Sequence, residues 1–354
     1  MKLNKLLASG HSIFSRYRLA HIAGVLVIIF SLMILLLIPP GFSQPPFRVI
    51  VISKTNDMEI AFWWSVYDGI QTAEREFDVS CEYWAPDTES EIEVQVSLIT
   101  RAINEKPDAI VLAAIDYEQM LPQAQAITEA GIPLITMDSN VTGGLEKSFV
   151  ATDNVQAGYK AGEIMESLLP EGEPIAVLSP LLGTHSSRHR DEGARHALSE
   201  QRTVKPTFDS DGLADNAQRY VEDLLASGFS GGILCLNEYT TVGAARAILD
   251  AQAQDDVLLV GFDSSMELIG YLESGLLAAT IIQRPFNMGY LSIVTALDVI
   301  GGNQPESFVD TGSIRITKDN MYSEENEKLL FLPSYLCRWR SFQKLFATTH
   351  PTHI

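Results

Sequence analysis

Short apolar runs alternate with amphipathic stretches from Arg48 to about Gly302, and this alternation constrains the fold more than any other feature of the chain. The candidate strands are residues 49–53, 108–113, 133–137, 175–179, 232–236 and 257–262. The candidate helices between them are residues 61–76, 91–105, 118–130, 185–200, 214–226 and 240–251. Strands that alternate with helices in this way are typical of βαβ units, so the sequence predicts an α/β fold with parallel sheets.

The second half of this pattern repeats the first. Residues 133–139 and 257–264 are both apolar strands that end in Asp-Ser, with the carboxylates at Asp138 and Asp263. Such a repetition predicts two similar lobes joined by crossing segments, which together form a hinged clamp. The predicted lobes are residues 44–151 plus 284–312 and residues 152–283 plus 313–333. The remaining residues, 334–354, are predicted to be a basic tail.

The first 43 residues have the composition of a targeting segment. Residues 1–21 contain four basic residues and no acidic residue. An apolar run of 17 residues follows at 22–38. That length lies between a secretory signal core of about 7–15 residues and a spanning helix of about 17–25. We therefore expect either a cleaved signal peptide or an uncleaved N-terminal membrane anchor. In both cases the body from Gln44 onward is expected outside the cytoplasm.

The charge of the body excludes one large class of partners. The formal net charge is −20, and because four of the 25 basic residues lie in the first 43 positions, the body carries 21 basic against 45 acidic residues. Nucleic-acid binding needs a basic face, so we expect no nucleic-acid partner. The three cysteines, Cys81, Cys235 and Cys337, show neither paired spacing nor a zinc pattern.

Polar and aromatic residues follow several of the predicted strands. In open α/β sheets ligands bind beyond the carboxyl ends of the strands. The residues selected by this rule are Phe62, Trp63, Asp138, Arg190 in the loop 184–190, Asn237 and Asp263. Paired carboxylate, amide and guanidinium groups suit a ligand with many hydroxyls. The alternatives are core packing for the aromatic residues, with Trp64 expected to face the core, and helix capping for the two aspartates.

In its motifs the chain resembles the type I periplasmic binding proteins, most closely their ribose- and galactose-binding branch. The resemblance rests on residues 62–70, 132–138, 151–158, 260–263 and 279–283. It implies two Rossmann-like lobes with a ligand between them. It also implies ligand contacts at Phe62 and Trp63 by stacking, and at Asp138, Arg190, Asn237, Asp263 and Gln283. The chain departs from the ribose-binding pattern at Ser139, where a basic residue is usual, and near Gly212, where an aromatic residue is missing.

The resemblance implies an extracytoplasmic solute-binding protein. We expect it to capture a monosaccharide or a related polyhydroxylated molecule and to deliver it to an ABC importer. The alternative is a receptor subunit that presents the sugar to a membrane sensor kinase. We expect a monomer that is not an enzyme and that needs no cofactor. His185 and His189 have the i, i+4 spacing of metal ligands, but the sequence offers no obvious third ligand, so we expect no metal.

Overall fold

Two six-stranded sheets form the framework of the computed structural model, which describes residues 47–331. These residues belong to one compact unit that begins at Phe47. The predicted leader and the predicted basic tail lie outside the described residues. Within the described residues, no helix combines the length and the apolar character that crossing a membrane would require.

The strands and helices alternate along the chain as predicted, and the fold is α/β. In the first half the elements are β1 (Arg48–Ile52), α1 (Ala61–Phe77), β2 (Ser80–Trp84), α2 (Ile92–Glu105), β3 (Ala109–Leu112), α3 (Leu121–Glu129), β4 (Leu134–Met137) and β5 (Ser148–Ala151). Next come α4 (Asn154–Leu168), β6 (Ile175–Ser179), α5 (His185–Ala197), β7 (Phe208–Asp209), α6 (Ala214–Ala226), β8 (Gly231–Cys235), α7 (Glu238–Asp250) and β9 (Val257–Phe262). The last are α8 (Met266–Ser274), β10 (Leu277–Gln283), α9 (Pro285–Ile300), β11 (Phe308–Asp310), β12 (Ser313–Ile316) and α10 (Glu324–Leu330).

The two sheets have the same internal order. The first sheet is arranged β11-β5-β4-β3-β1-β2, and all of its strand pairs are parallel. The second is arranged β12-β10-β9-β8-β6-β7 and is parallel except for the edge strand β12. Helices cover both faces of such a sheet, which explains why central strands such as β3 and β8 are buried along their whole length. The chain passes between the sheets after β5, after β10 and after β11. The residue boundaries of the two lobes stay a proposal.

Glycines allow pairs of helices to cross with their backbones in contact. A Cβ atom on Gly158 of α4 would lie 2.1 Å from the carbonyl oxygen of Arg190 in α5, and one on Gly193 would lie 2.0 Å from that of Val155. Helices α1 and α9 of the other sheet cross in the same way at Gly69. Any side chain at these positions would push the helices apart. The close crossing of α4 and α5 brings Asn154 beside Arg190.

Candidate functional site

The carboxyl ends of the strands of both sheets face one cleft. It contains about 480 Å³ of empty space, a volume that includes part of the open solvent at its entrance. The structure brings together all seven residues proposed from the sequence: Phe62, Trp63, Asp138, Arg190, Asn237, Asp263 and Gln283. The lining also contains charged residues that sequence reasoning missed: Lys54, Glu89 and Glu238. Ligand contact by these residues stays a prediction.

The two strand-end aspartates occupy equivalent positions in the two sheets. Asp138 follows β4 with a φ of 59°, and Asp263 follows β9 with a φ of 66°. Their backbone N–H groups donate to the carbonyl oxygens of Val150 and Ile281, at 3.1 and 2.9 Å. Among residues with side chains, aspartate and asparagine adopt this left-handed conformation most readily. The turn therefore selects the residue type and also aims each carboxylate into the cleft.

A buried ion pair occupies the first-sheet side of the cleft. The Nζ atom of Lys54 lies 2.7 Å from Oδ2 of Asp138, and both side chains are almost fully buried. Lys54 lies two residues after the end of β1, so it reaches the cleft from the end of a different strand. The resemblance leads us to expect a basic residue at position 139, where this chain has Ser139. The structure supplies the cation from a different strand.

The ring that packs into the core is Trp63, and the expectation for Trp64 was wrong. Trp63 is 2% exposed, whereas Trp64 is 37% exposed. The buried side chains of α1 include Trp63, Val66 and Ile70, which follow one another at the i, i+3, i+7 spacing of a helix face. Trp64 is rotated by about 100° from Trp63 and therefore points toward solvent.

Trp63 packs into the core and also lines the cleft. Its indole Nε1 donates a hydrogen bond to Oε1 of Glu89 at 2.7 Å, and its ring meets Phe62 edge to face at 4.9 Å. The Lys54 ammonium lies 6.0 Å from the centre of the indole ring. Burial raises the pKa of Glu89, and the charge of Lys54 and the indole N–H partly offset that rise. Two aromatic surfaces and a buried carboxyl thus line this end of the cleft.

Arg190 is held in place by groups of its own sheet. Its Nε donates to Oδ1 of Asn154 at 2.8 Å, and Nη1 donates to the carbonyl oxygen of Leu236, also at 2.8 Å. The guanidinium carbon lies 4.7 Å from the centre of the Phe262 ring. Sequence reasoning missed Asn154, although it opens the helix that crosses α5. A guanidinium fixed in this way needs little further ordering when it binds a ligand.

The remaining polar residues divide between structural and cleft-facing roles. Oδ1 of Asn237 accepts from the backbone N–H of Thr240 at 3.0 Å and caps α7, so its amide oxygen already has a structural partner. Gln283 donates from Nε2 to Oδ1 of Asp263 at 2.7 Å. Burial raises the pKa of Asp263, while the charge of Arg190 and this hydrogen bond act in the opposite direction.

Segments that follow β3 and β6 bring the two sheets into direct contact. The N–H of Tyr117 donates to the carbonyl oxygen of Gly183 at 2.9 Å, and Arg188 pairs with Glu118 at 2.7 Å. His185 packs against the rings of Tyr117 and Phe149 at 5.4 and 5.0 Å. Burial lowers the pKa of His185 to about 3, so the imidazole is neutral at physiological pH. We call this set of contacts the inter-sheet contacts.

Comparisons with known proteins agree with this architecture. A family model described as a periplasmic binding protein domain matches residues 50–304. A ribose import binding protein from Haemophilus influenzae is 33% identical over 178 residues, which cover 50% of this chain and 60% of that protein. The crystal structure of a sugar transporter from Clostridium phytofermentans has a TM-score of 0.72 at 36% identity, over 77% of this chain and 100% of that one.

A second solved structure has a bound sugar. It is a carbohydrate transporter solute binding protein from Agrobacterium radiobacter in complex with D-arabinose. Its TM-score is 0.76 at 27% identity, and the match covers 82% of this chain and 100% of that one. The present chain therefore spans about three fifths of the ribose import binding protein and the full length of both solved structures.

Proposed function

Because the chain belongs to the ribose- and galactose-type branch of the type I periplasmic binding proteins, we propose that it is an extracytoplasmic solute-binding protein for a sugar. It captures a monosaccharide or a related polyhydroxylated molecule in the cleft and delivers it to an ABC importer. It acts as a monomer and catalyses no reaction. The leader keeps the body outside the cytoplasm, either as a signal peptide or as an anchor.

One observation carries this proposal: charged groups from two sheets line one cleft together with an aromatic surface. Asp138 and Asp263 lie at equivalent strand ends, and Arg190 is held by Asn154 and by the carbonyl oxygen of Leu236. Phe62 and Trp63 also line the cleft. Carboxylates and a guanidinium make charge-assisted hydrogen bonds to hydroxyl groups, each contributing about 1.5–3 kcal/mol. Aromatic faces cover the C–H side of a sugar ring. These groups suit the binding of a ligand with many hydroxyls.

The direct test is a thermal-shift screen of the purified protein against monosaccharides and polyols. A ligand present at 100 times its dissociation constant should add about 2.7 kcal/mol to the free energy of unfolding. We expect one sugar or a few related sugars to raise the melting temperature, with nucleotides and amino acids as negative controls. If no sugar or polyol stabilises the protein while an amino acid does, the proposed ligand class is wrong.

The inter-sheet contacts lead to a prediction about closure of the cleft around the ligand. A Cβ on Gly183 would lie 2.4 Å from Oδ2 of Asp116. That carboxylate is held by hydrogen bonds from Glu118 and Gln119 and therefore has little freedom to move. Gly183→Ala should hinder closure and weaken sugar binding about tenfold, equivalent to about 1.4 kcal/mol, with little change in the free energy of unfolding. Calorimetric titration and urea denaturation would measure the two quantities.

The double variant Gly183→Ala/Asp116→Ala provides the matched control, because it removes the carboxylate that the new methyl group would strike. Its affinity should recover toward that of Asp116→Ala alone. If the Gly183→Ala protein binds the sugar as tightly as the original protein does, the inter-sheet contacts do not limit closure of the cleft.

A further inference from the structure

The ionisable groups of the cleft are unequal in charge. Among its lining residues, four carry carboxyl groups and two carry positive charges. The acidic residues are Glu89, Asp138, Glu238 and Asp263, and the basic residues are Lys54 and Arg190. With all six ionised, the cleft would bury two uncompensated negative charges, which is strongly unfavourable without a counter-charge.

The two cations already have protein partners. Lys54 pairs with Asp138 at 2.7 Å, and Arg190 donates to Asn154 and Leu236. Each side of the cleft then has one more carboxyl group than it has cations. On the first-sheet side Lys54 faces Asp138 and Glu89, and on the second-sheet side the charge of Arg190 acts on Asp263, which leaves Glu238. A ligand that meets the second-sheet side encounters mainly hydrogen-bond acceptors.

Two of these acceptors are buried without a partner among the described residues. They are Oε2 of Glu238 and Oε1 of Gln283, and Gln283 is only 3% exposed. The orientation of the Gln283 amide is fixed, because its Nε2 donates to Oδ1 of Asp263. Buried acceptors in proteins almost always have donors, so this corner of the cleft requires a donor-rich group from the ligand.

We propose that the ligand carries an ammonium group, as an amino sugar or an amino polyol does, and that this group binds between Glu238, Asp263 and Gln283. An ammonium offers three donors and one positive charge, whereas a hydroxyl offers one donor and no charge. It would satisfy both unpartnered acceptors and would supply the positive charge that Glu238 lacks when it is ionised. This inference rests on the proposed function and specifies the substrate class of the same site.

The protonation state of Glu238 gives the proposal a second observable. Burial raises the pKa of Glu238 to about 8, and the charges of Asp263, Glu267 and Asp57 act in the same direction, while a hydrogen bond with Ser265 opposes them. Before ligand binds, this carboxyl is therefore mostly protonated at pH 7. An ammonium group beside it favours the ionised form, so binding should release up to about one proton.

The experiment compares matched neutral and cationic sugars on the full-length protein. The neutral panel is glucose, galactose, mannose and whichever sugar binds best in the thermal screen. Each is paired with its amino-deoxy analogues, one for each hydroxyl position. Calorimetric titration at pH 7 should show at least one analogue that binds about tenfold tighter than its parent, as expected for a buried charge-assisted contact. Its enthalpy should vary with the ionisation enthalpy of the buffer in proportion to the proton released.

Glu238→Gln removes the carboxylate but keeps the shape of the side chain. In this variant the preference for the amine should fall below about threefold and the proton release should disappear. Glu129→Gln, which removes an exposed carboxylate on α3, is the matched control and should keep both. If Glu238→Gln does not fold, the buffer dependence of the original protein decides, and the absence of proton release overturns the inference.

The outcomes separate this inference from the proposed function. If neutral sugars bind and none of their amino-deoxy analogues binds tighter, the inference is overturned and the sugar-binding function stands. If neither series binds, the proposed function fails and the inference fails with it.

Discussion

Asp138→Ala is expected to weaken sugar binding by about 30- to 1000-fold, because a closed cleft would leave the ligand hydroxyls without their charged acceptor. The same substitution leaves the Lys54 ammonium buried and unpaired. Breaking a buried ion pair by removing one partner typically costs about 3–5 kcal/mol, so the free energy of unfolding should fall by a comparable amount. Calorimetric titration and urea denaturation measure the two effects separately.

Two controls distinguish the ion pair from a general effect of losing an aspartate. Asp108→Ala removes an exposed carboxylate at the opposite, amino-terminal ends of the strands, where it accepts from the N–H of Arg48, and should leave affinity unchanged. The double variant Lys54→Met/Asp138→Asn removes both charges, keeps a residue that tolerates the positive φ at position 138, and should recover most of the lost stability, though not the affinity. If Asp138→Ala binds and unfolds like the original protein, Asp138 is not a ligand acceptor and the pair contributes nothing.

Gly158→Ala should be more damaging to stability than its single added methyl group suggests. The new Cβ would lie 2.1 Å from the carbonyl oxygen of Arg190, and backbone cannot move aside as a side chain can. Overpacking of this kind costs about 1–3 kcal/mol and more where backbone must shift, so we expect a loss above about 3 kcal/mol. Affinity should fall as well, because moving α5 away from α4 separates Arg190 from Asn154.

Gly270 provides the matched control for this prediction. It lies in the middle of α8, it is exposed, and a Cβ there would have no neighbour within 4 Å. Gly270→Ala should therefore stabilise the protein by about 0.5–1 kcal/mol, because alanine loses less backbone entropy than glycine in a helix. Urea denaturation of both variants tests the pair. Equal stability of Gly158→Ala and the original protein would show that the two helices can separate without cost.

Much of the architecture was predictable because it depends on one-dimensional patterns. The alternation of apolar runs with amphipathic stretches predicted the parallel sheets. The rule that ligands bind at the carboxyl ends of strands predicted that Asp138 and Asp263 line one cleft. The strands β2 and β7 were missed. Both are edge strands that are only partly buried, and neither Ser80–Trp84 nor the two residues of β7 form a continuous apolar run.

The partners of the predicted residues could not be derived in the same way. Lys54 and Glu89 reach the cleft from loops whose paths depend on packing, and no spacing in the sequence connects Lys54 to Asp138. The start of α1 at residue 61 was predicted correctly, but the choice between Trp63 and Trp64 was not. Neighbouring side chains on a helix point about 100° apart, and the face that packs into the core is the one that carries Trp63, Val66 and Ile70. The glycine crossing at Gly158 depends on contact between two helices and leaves no local pattern.

The left-handed backbone at Asp138 and Asp263 restricts how new specificities could be engineered into this cleft. A library at these two positions would yield folded proteins mainly with Asp, Asn or Gly, since other side chains adopt a positive φ at a cost of about 1–2 kcal/mol. Exchanging Asp for Asn converts an acceptor into a group that also donates but leaves its reach unchanged. Extending the chemistry to larger or smaller solutes must therefore start from positions with ordinary backbone, such as Phe62 and Glu89.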